Sequence, residues 1–179
     1  MIETRLLLRD EIGAVWTIDR REVIDAVYYL VDGALVLKPE HYDMAGWPPG
    51  ESEKYTPILE ECFDRGGWFC GLFDGPTLAG VAVLESRFIG RNRDQLQLKF
   101  LHVSRPYRGQ GWGGRLFDLA RTEAFKRGAA GLYISATPSE HTIGFYLRQG
   151  CRVTTEPDPE LFALEPEDIH LECDFAECL

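Results

Sequence analysis

The fold is decided by the stretch Leu98-Lys-Phe-Leu-His-Val-Ser-Arg-Pro-Tyr-Arg-Gly-Gln-Gly-Trp-Gly-Gly-Arg-Leu-Phe-Asp118. It runs from an apolar strand, through a turn rich in glycine and arginine, into an amphipathic helix. Glycine lets the backbone turn tightly and approach a bound group without a Cβ atom in the way. A helix N-terminus adds unpaired N–H donors and the positive end of the helix dipole, and both favour phosphate. The stretch therefore predicts a site for a ligand that carries pyrophosphate.

Length and charge limit the classes of protein that this chain can belong to. Its 179 residues are 45% hydrophobic, which suits a single globular domain over residues 1–179. The net charge is −10, so a general nucleic-acid binder is excluded, because affinity for the phosphate backbone needs clustered Lys and Arg. An acidic surface suits a cationic substrate, and it equally suits a protein that its charge keeps in solution.

The cysteines and the N-terminus indicate the cellular compartment. The chain has 5 cysteines, an odd number, and no Cys-x-x-Cys pair, so we expect reduced thiols rather than disulfides and no metal site. Residues 1–10 contain only a short run of leucines, which is typical of neither a signal peptide nor a membrane anchor. We therefore predict a cytoplasmic protein without a membrane partner.

Ahead of the deciding stretch, the pattern predicts strands over 4–9, 67–73 and 78–88, and helices that begin at an Asp10 cap and at residue 55. Asp32-Gly33 lies between two runs rich in β-branched and aromatic residues, 23–31 and 34–37, which favours a hairpin. A helix over 23–30 is the alternative, because its apolar residues also fit helical spacing. Residues 41–51 read as a loop, in which Tyr42, Asp43 and Trp47 can line a pocket or anchor on the core.

Further along the chain, the pattern predicts helices over 111–127 and 138–149, and strands over 95–103, 131–136, 151–154 and 169–175, with a connection over 157–166. The alternation of strand 95–103 breaks at Phe100-Leu101, which predicts a bulge. Hairpins followed by strand–helix–strand–helix–strand predict a mixed α/β (α+β) fold.

Two motifs resemble those of the GNAT superfamily of N-acetyltransferases. Leu101-His-Val-Ser-Arg-Pro-Tyr-Arg-Gly-Gln-Gly-Trp-Gly-Gly114 resembles its acetyl-coenzyme-A motif, Arg/Gln-x-x-Gly-x-Gly/Ala, through Arg108, Gly111 and Gly113. Pro138-Ser-Glu-His-Thr-Ile-Gly-Phe-Tyr-Leu-Arg-Gln-Gly-Cys151 resembles the helix that ends in Phe-Tyr-x-x-x-Gly-Phe. Two motifs at the correct separation, within 79–153, are more specific than a lone glycine-rich loop. The resemblance implies a central mixed, mostly antiparallel sheet of about seven strands flanked by helices.

The resemblance also implies roles for individual residues. The backbone of Leu101, His102 and Val103 would pair with the pantetheine arm of acetyl-CoA. The N–H groups of one segment would cradle the pyrophosphate: Arg108, Gly109, Gln110, Gly111, Trp112, Gly113 and Gly114. Tyr146 matches the tyrosine that protonates the departing thiolate. Ser139, with His141 as a substitute, stands where the family often has a cofactor-binding Asn.

The general base stays open. Some family members carry a Glu on the fourth strand, where this chain has Gln97 and Lys99. Glu85 on the preceding strand is a candidate base, and a salt-bridged carboxylate is the structural alternative. Deprotonation of the amine through ordered water would need no side-chain base.

We therefore predict an N-acetyltransferase that moves an acetyl group from acetyl-CoA to a primary amine of a small molecule, by direct attack in a ternary complex and without a metal. The alternatives are a protein lysine or N-terminal acetyltransferase and a non-catalytic acyl-CoA-binding sensor. The resemblance also allows a homodimer, since many members dimerise.

Overall fold

The computed structural model describes residues 1–177. Its strands are β1 (Ile2–Leu6), β2 (Glu22–Val31), β3 (Ala34–Met44), β4 (Trp68–Asp74), β5 (Thr77–Ile89), β6 (Gln95–Val103), β7 (Gly131–Ala136), β8 (Arg152–Val153) and β9 (Ile169–Asp174). Its α-helices are α1 (Glu51–Asp64), α2 (Trp112–Lys126), α3 (Glu140–Arg148) and α4 (Pro159–Leu164). Short 3₁₀ helices cover Arg9–Thr17, Arg105–Tyr107 and Phe175–Glu177.

Seven strands form one sheet in the order β1-β4-β5-β6-β7-β9-β8, and β2 and β3 form a separate two-stranded sheet. The pairs β1–β4, β4–β5, β7–β9 and β8–β9 are antiparallel, and β6–β7 is parallel. This mixed, mostly antiparallel sheet with flanking helices confirms the predicted fold class. The parallel pairs run from Gln95–Gly131 to Gln97–Tyr133, whereas β6 continues to Val103.

The chain divides into two compact units. The first consists of Met1–Glu22, Met44–Arg87 and Leu98–Glu123. Its core gathers apolar side chains from the first 3₁₀ helix, α1 and the strands: Leu7, Ile12, Val15, Ile18, Tyr55, Leu59, Cys62, Phe69, Phe73, Leu78, Val81, Val83 and Phe100. On α1, the buried residues Tyr55, Leu59 and Cys62 recur at the spacing of one helix face.

The second unit consists of Val23–Asp43, Phe88–Gln97 and the chain from Ala124 onward. Strands β7 and β9 bury Leu132, Ile134 and Leu171 within it. The β2–β3 hairpin is attached to the start of α3, because the Tyr28 N–H donates to the Pro138 carbonyl at 2.7 Å.

The Asp32-Gly33 hairpin is confirmed. Asp32 has φ 49° and Gly33 has φ 79°, and positive φ at both central residues is what a type I′ turn requires. The alternative helix over 23–30 is wrong, since those residues belong to strand β2.

Several predicted boundaries are wrong. Asp10 does not cap the first helix, which begins at Arg9; instead the Glu11 carboxylate accepts the Leu8 N–H at 2.8 Å. Strand β3 extends to Met44 and α1 begins at Glu51, so the predicted loop over 41–51 is shorter than expected. The connection over 157–166 contains α4, whose cap is the Asp158 carboxylate, an acceptor for two backbone N–H groups.

Cys62, Cys70, Cys151 and Cys173 are buried, and no disulfide joins them within the described chain. Cys178 lies outside the described residues. Among residues 1–177, no helix combines the length and apolar character that a bilayer span requires.

Candidate active site

The predicted pyrophosphate loop lies between β6 and α2. Gly109 and Gly111 adopt φ 74° and 84°, and within the described residues nothing beyond their chain neighbours comes within 4 Å of a Cβ built at either position. The Arg115 N–H donates to the Gly111 carbonyl at 3.0 Å. The N–H groups of Trp112–Gly114 therefore come before the first intrahelical donor, and the helix itself gives them no acceptor. Open glycines beside these donors form a cradle that fits a phosphate group.

Arg108 stabilises the loop through its side chain. Its Nε donates to the Val103 carbonyl at 2.8 Å, Nη1 to the Arg21 carbonyl at 2.9 Å, and Nη2 to the Asp19 carbonyl at 3.1 Å. The Arg105 N–H also donates to the Asp19 carbonyl, at 2.9 Å. The Arg108 guanidinium thus joins the end of β6 to the segment before β2. Sequence reasoning treated this side chain only as local positive charge and missed this role.

The end of β6 presents its backbone in alternate directions. The Ser104 N–H donates to the Ala79 carbonyl on β5 at 2.7 Å. Because amides alternate between the two edges of an extended strand, those of Leu101 and Val103 point to the edge away from β5. Gly80 on β5 permits close approach, since a Cβ there would lie 3.0 Å from the His102 carbonyl oxygen.

The His102 side chain lies in an aromatic cluster. Its ring centroid is 4.9 Å from that of Trp47 and 5.3 Å from that of Phe100. Desolvation in this cluster lowers the pKa of His102 to about 3, and the charges of Arg20 and Arg108 act in the same direction. The ring is therefore neutral at physiological pH and a weak base. By the alternation described above, the His102 backbone groups point towards β5, so a cofactor contact through them stays a prediction.

Glu85 lies in a buried ion-pair network, with only 5% of its surface exposed. Its carboxylate accepts the Arg65 Nε–H at 2.8 Å and the Ser86 N–H at 2.8 Å, and the Lys99 ammonium lies 3.6 Å away. Burial raises the pKa of Glu85, but the bonds from Arg65 and Ser86 and the nearby positive charges outweigh it and lower this pKa to about 2. The structural alternative, a salt-bridged carboxylate, is what the structure shows. Such a group is a poor proton acceptor, and the sequence offered no signal for its partner Arg65.

The second unit contains the other predicted residues, on or before α3. Ser139 is buried at the N-cap position, where its Oγ accepts the Thr142 N–H at 3.3 Å. His141 is exposed in the first turn. Tyr146 is buried, and burial raises its pKa, with a smaller effect from Cys151. A role in binding or catalysis for these three residues stays a prediction.

The match to known proteins gives the family. A family model described as Acetyltransferase (GNAT) family matches residues 36–151, which is more than half of the chain. The chain belongs to the GNAT acetyltransferase family. Its members are acetyl-CoA-dependent transferases, and the cradle between β6 and α2 has the donors that a pyrophosphate needs.

Solved structures show the same fold. A nourseothricin acetyltransferase has a TM-score of 0.70 and 20% identity, with 97% of this chain and 98% of that chain covered. The PaiA N-acetyltransferase from Thermoplasma acidophilum, in complex with coenzyme A, has a TM-score of 0.64 and 17% identity, with 97% and 99% covered. An N-acetylglutamate synthase from Neisseria gonorrhoeae, complexed with coenzyme A and N-acetyl-glutamate, has a TM-score of 0.65 and 16% identity, with 97% and 35% covered. A comparison with curated protein sequences gave no match.

Arg108→Lys should weaken coenzyme A binding about tenfold, because one ammonium cannot replace a planar fork that donates to three carbonyls. Arg105→Lys is the matched control, since the Arg105 side chain is exposed, its hydrogen bond to Asp19 is made by the backbone, and lysine keeps its charge. Isothermal titration calorimetry with coenzyme A measures both dissociation constants. Equal dissociation constants in the two variants would contradict the anchoring role.

Glu85→Gln should lower the free energy of unfolding by about 2–3 kcal/mol at neutral pH, because it leaves Arg65 and Lys99 without their buried carboxylate. The folded-state pKa of Glu85 lies below the value of about 4.3 expected in the unfolded chain. The carboxylate therefore stabilises the fold above that value, and its contribution is lost as the pH falls towards 2.

Urea denaturation of Glu85→Gln and of the unaltered protein, from neutral pH to a pH of about 2, measures the difference in their free energies of unfolding. This difference should decrease below a pH of about 4. Glu60→Gln is the control, because its exposed carboxylate lies 3.9 Å from Arg9 and should contribute at most about 0.5 kcal/mol. If the free energies of unfolding of Glu85→Gln and the unaltered protein differ by the same amount at neutral and at acid pH, the ion pair of Glu85 does not stabilise the fold as described.

Proposed function

We propose that this protein transfers the acetyl group of acetyl-CoA to a primary amine of a small molecule, by direct attack in a ternary complex. The observation that carries the proposal is the cradle of Trp112–Gly114 N–H groups at the start of α2. It follows, after one short loop, a strand end whose Leu101 and Val103 amides point away from β5. One phosphate-binding helix end and one exposed strand edge match the two parts of coenzyme A, its pyrophosphate and its amide-bearing arm.

The backbone hydrogen bonds narrow how the substrate would be held. The Val103 carbonyl already accepts the Arg108 Nε–H. Contacts with the pantetheine arm would therefore use the Leu101 groups and the Val103 N–H. The Val103 N–H would also polarise the thioester carbonyl and stabilise the oxyanion that forms on attack.

The proposed reaction needs one nucleophile and one proton donor. The lone pair of the neutral amine attacks the thioester carbonyl carbon, and a C–N bond forms. The C–S bond then breaks, and the sulfur takes a proton from the Tyr146 hydroxyl, which burial keeps protonated. The tyrosinate regains a proton from water before the next turnover. The proton released by the amine passes to water, because Glu85 is held in its ion pair and Gln97 is an amide.

The acceptor is inferred to be a small molecule. Support comes from the similar nourseothricin acetyltransferase, whose name gives nourseothricin as its acceptor and which matches this chain along nearly the whole length of both. A protein lysine or N-terminus and a non-catalytic sensor remain the alternatives. The single domain, the cytoplasmic location and the homodimer stay predictions.

A thiol-release assay with acetyl-CoA and a panel of small amines, peptides with free N-termini and lysine peptides separates these functions. We expect acetylation of small amines. Acetylation of peptides alone would assign a protein acceptor, and coenzyme A binding without turnover on any amine would assign a sensor.

Tyr146→Phe should lower kcat by about 100-fold or more, because the departing thiolate loses its proton donor. Its affinity for coenzyme A should stay within about twofold of that of the unaltered protein, since the phenyl ring keeps the packing. Steady-state kinetics and calorimetry measure the two effects.

Tyr133→Phe is the matched control, because Tyr133 is a buried tyrosine whose hydroxyl contacts His170 at 2.7 Å and accepts the Asp158 N–H at 2.9 Å. Its loss should reduce stability and leave kcat per folded molecule unchanged. An unchanged kcat in Tyr146→Phe would remove the acid role from this residue.

A further inference from the structure

We propose that Arg20, which lies over the ring of Trp47, binds a carboxylate group on the acceptor amine. The acceptor would then be an amino-acid-like molecule, with an amine to be acetylated and an anionic group that positions it. This inference rests on the proposed function, since it concerns the acceptor of the same reaction.

Arg20 differs from the arginines around it. Arg21 donates to both carboxylate oxygens of Asp19, at 2.9 and 2.6 Å, and Arg108 donates to three carbonyls. Within residues 1–177, the Arg20 guanidinium has neither a carboxylate nor a carbonyl partner, and its contact is the Trp47 ring, 4.9 Å from its central carbon to the ring centroid. Its hydrogen-bonding capacity is therefore available to a ligand.

Trp47 is itself fixed in place beneath the Arg20 guanidinium. The Trp47 Nε1–H donates to the Ile18 carbonyl at 2.9 Å, and the Trp47 ring packs edge-on against Trp16 at 4.9 Å. A guanidinium placed on a fixed aromatic face has its position set before binding, and its planar fork matches the two oxygens of a carboxylate. The Arg20 side chain is partly buried, so an ion pair formed there is less screened by solvent than one on the open surface.

Arg20 also lies close to the proposed reaction centre. Trp47 contacts the His102 ring, and the positive charge of Arg20 contributes to the lowered pKa of His102. The residues on both sides of Arg20 accept hydrogen bonds from Arg108, which also binds the Val103 carbonyl. Arg20 is thus held near His102 and Val103, where the thioester is proposed to lie.

The charges on β6 suit an acceptor that carries an anionic group beside its amine better than one that carries a second amine. The strand carries Lys99 and the neutral Gln97 in place of a carboxylate, and the Glu85 charge is neutralised by Arg65. Because Arg65 and Lys99 face one carboxylate, this network carries a net positive charge, although the whole chain has a net charge of −10.

The test compares acceptors that differ only in the carboxylate. Pairs of amino acids and their carboxamides, such as glycine, alanine, phenylalanine, lysine, glutamate and β-alanine with the matching amides, are assayed by thiol release. The ratio of kcat/KM for acid over amide is then measured in the unaltered protein and in Arg20→Gln. Differences in amine basicity within a pair cancel when the two ratios are compared.

We expect Arg20→Gln to reduce this ratio at least about tenfold, and Arg20→Lys, which keeps the charge but loses the fork, to reduce it less. Arg21→Gln is the control for charge alone and should change the ratio by less than about twofold, because Asp19 already neutralises that side chain. A ratio that changes as little in Arg20→Gln as in Arg21→Gln would overturn the proposal.

Two further measurements separate the alternatives. Calorimetry with coenzyme A should show the same affinity in Arg20→Gln as in the unaltered protein; weaker binding with an unchanged acid-to-amide ratio would assign Arg20 to a cofactor phosphate and overturn the proposal.

If no amine is acetylated, the proposed function fails, and saturation-transfer NMR of the same pairs on the coenzyme A complex tests the anion site. Binding of the acids that is lost in Arg20→Gln would support it, and binding of no acid would overturn it.

Discussion

The Arg108 guanidinium donates to three backbone carbonyls, and these hydrogen bonds connect the end of β6, the glycine-rich loop and the segment before β2. Through Val103 it reaches the strand that would pair with the pantetheine arm. Through its own backbone it belongs to the loop that would hold the pyrophosphate. Through Asp19 and Arg21 it holds the segment that places Arg20 over Trp47. Every residue has a backbone carbonyl, whatever its side chain. The interaction therefore depends on Arg108 and on the backbone conformation that brings the three carbonyls close to it.

The electrostatics of the first unit favour a reaction in which the protein positions the substrates and polarises the thioester, without a side chain that acts as a base. Glu85 is ionised and bound to Arg65, and the His102 imidazole is a weak base in its aromatic cluster. Neither side chain is suited to take a proton from an ammonium at neutral pH. In the proposed mechanism the amine therefore reacts as the neutral form, and the backbone N–H at the strand end stabilises the developing oxyanion. In the same proposal, Tyr146 acts later, when the sulfur leaves.

The features that could be predicted from the sequence are local ones. The turn at Asp32-Gly33 and the glycine loop before α2 both need residues with positive φ. Because the tolerance for positive φ depends on the residue type itself, the sequence predicts both. The Glu85–Arg65 and Arg20–Trp47 contacts join separate elements, and no periodicity reports such pairs. The start of α1 was missed for another reason: its N-cap is Gly50, with φ 81°, inside a segment rich in proline and aromatic residues that reads as a loop. The two family motifs predicted the site, while the proposed acceptor contact rests on a pair, Arg20 and Trp47, that only the structure shows.

The central claim is that the backbone between Val103 and Gly114 holds coenzyme A. NMR-detected amide hydrogen exchange, measured on the full chain with and without coenzyme A, tests it directly. The account predicts that the N–H groups of Trp112, Gly113, Gly114 and Val103 gain protection when coenzyme A binds. Unchanged exchange at these four amides, with binding confirmed in the same sample, would contradict it.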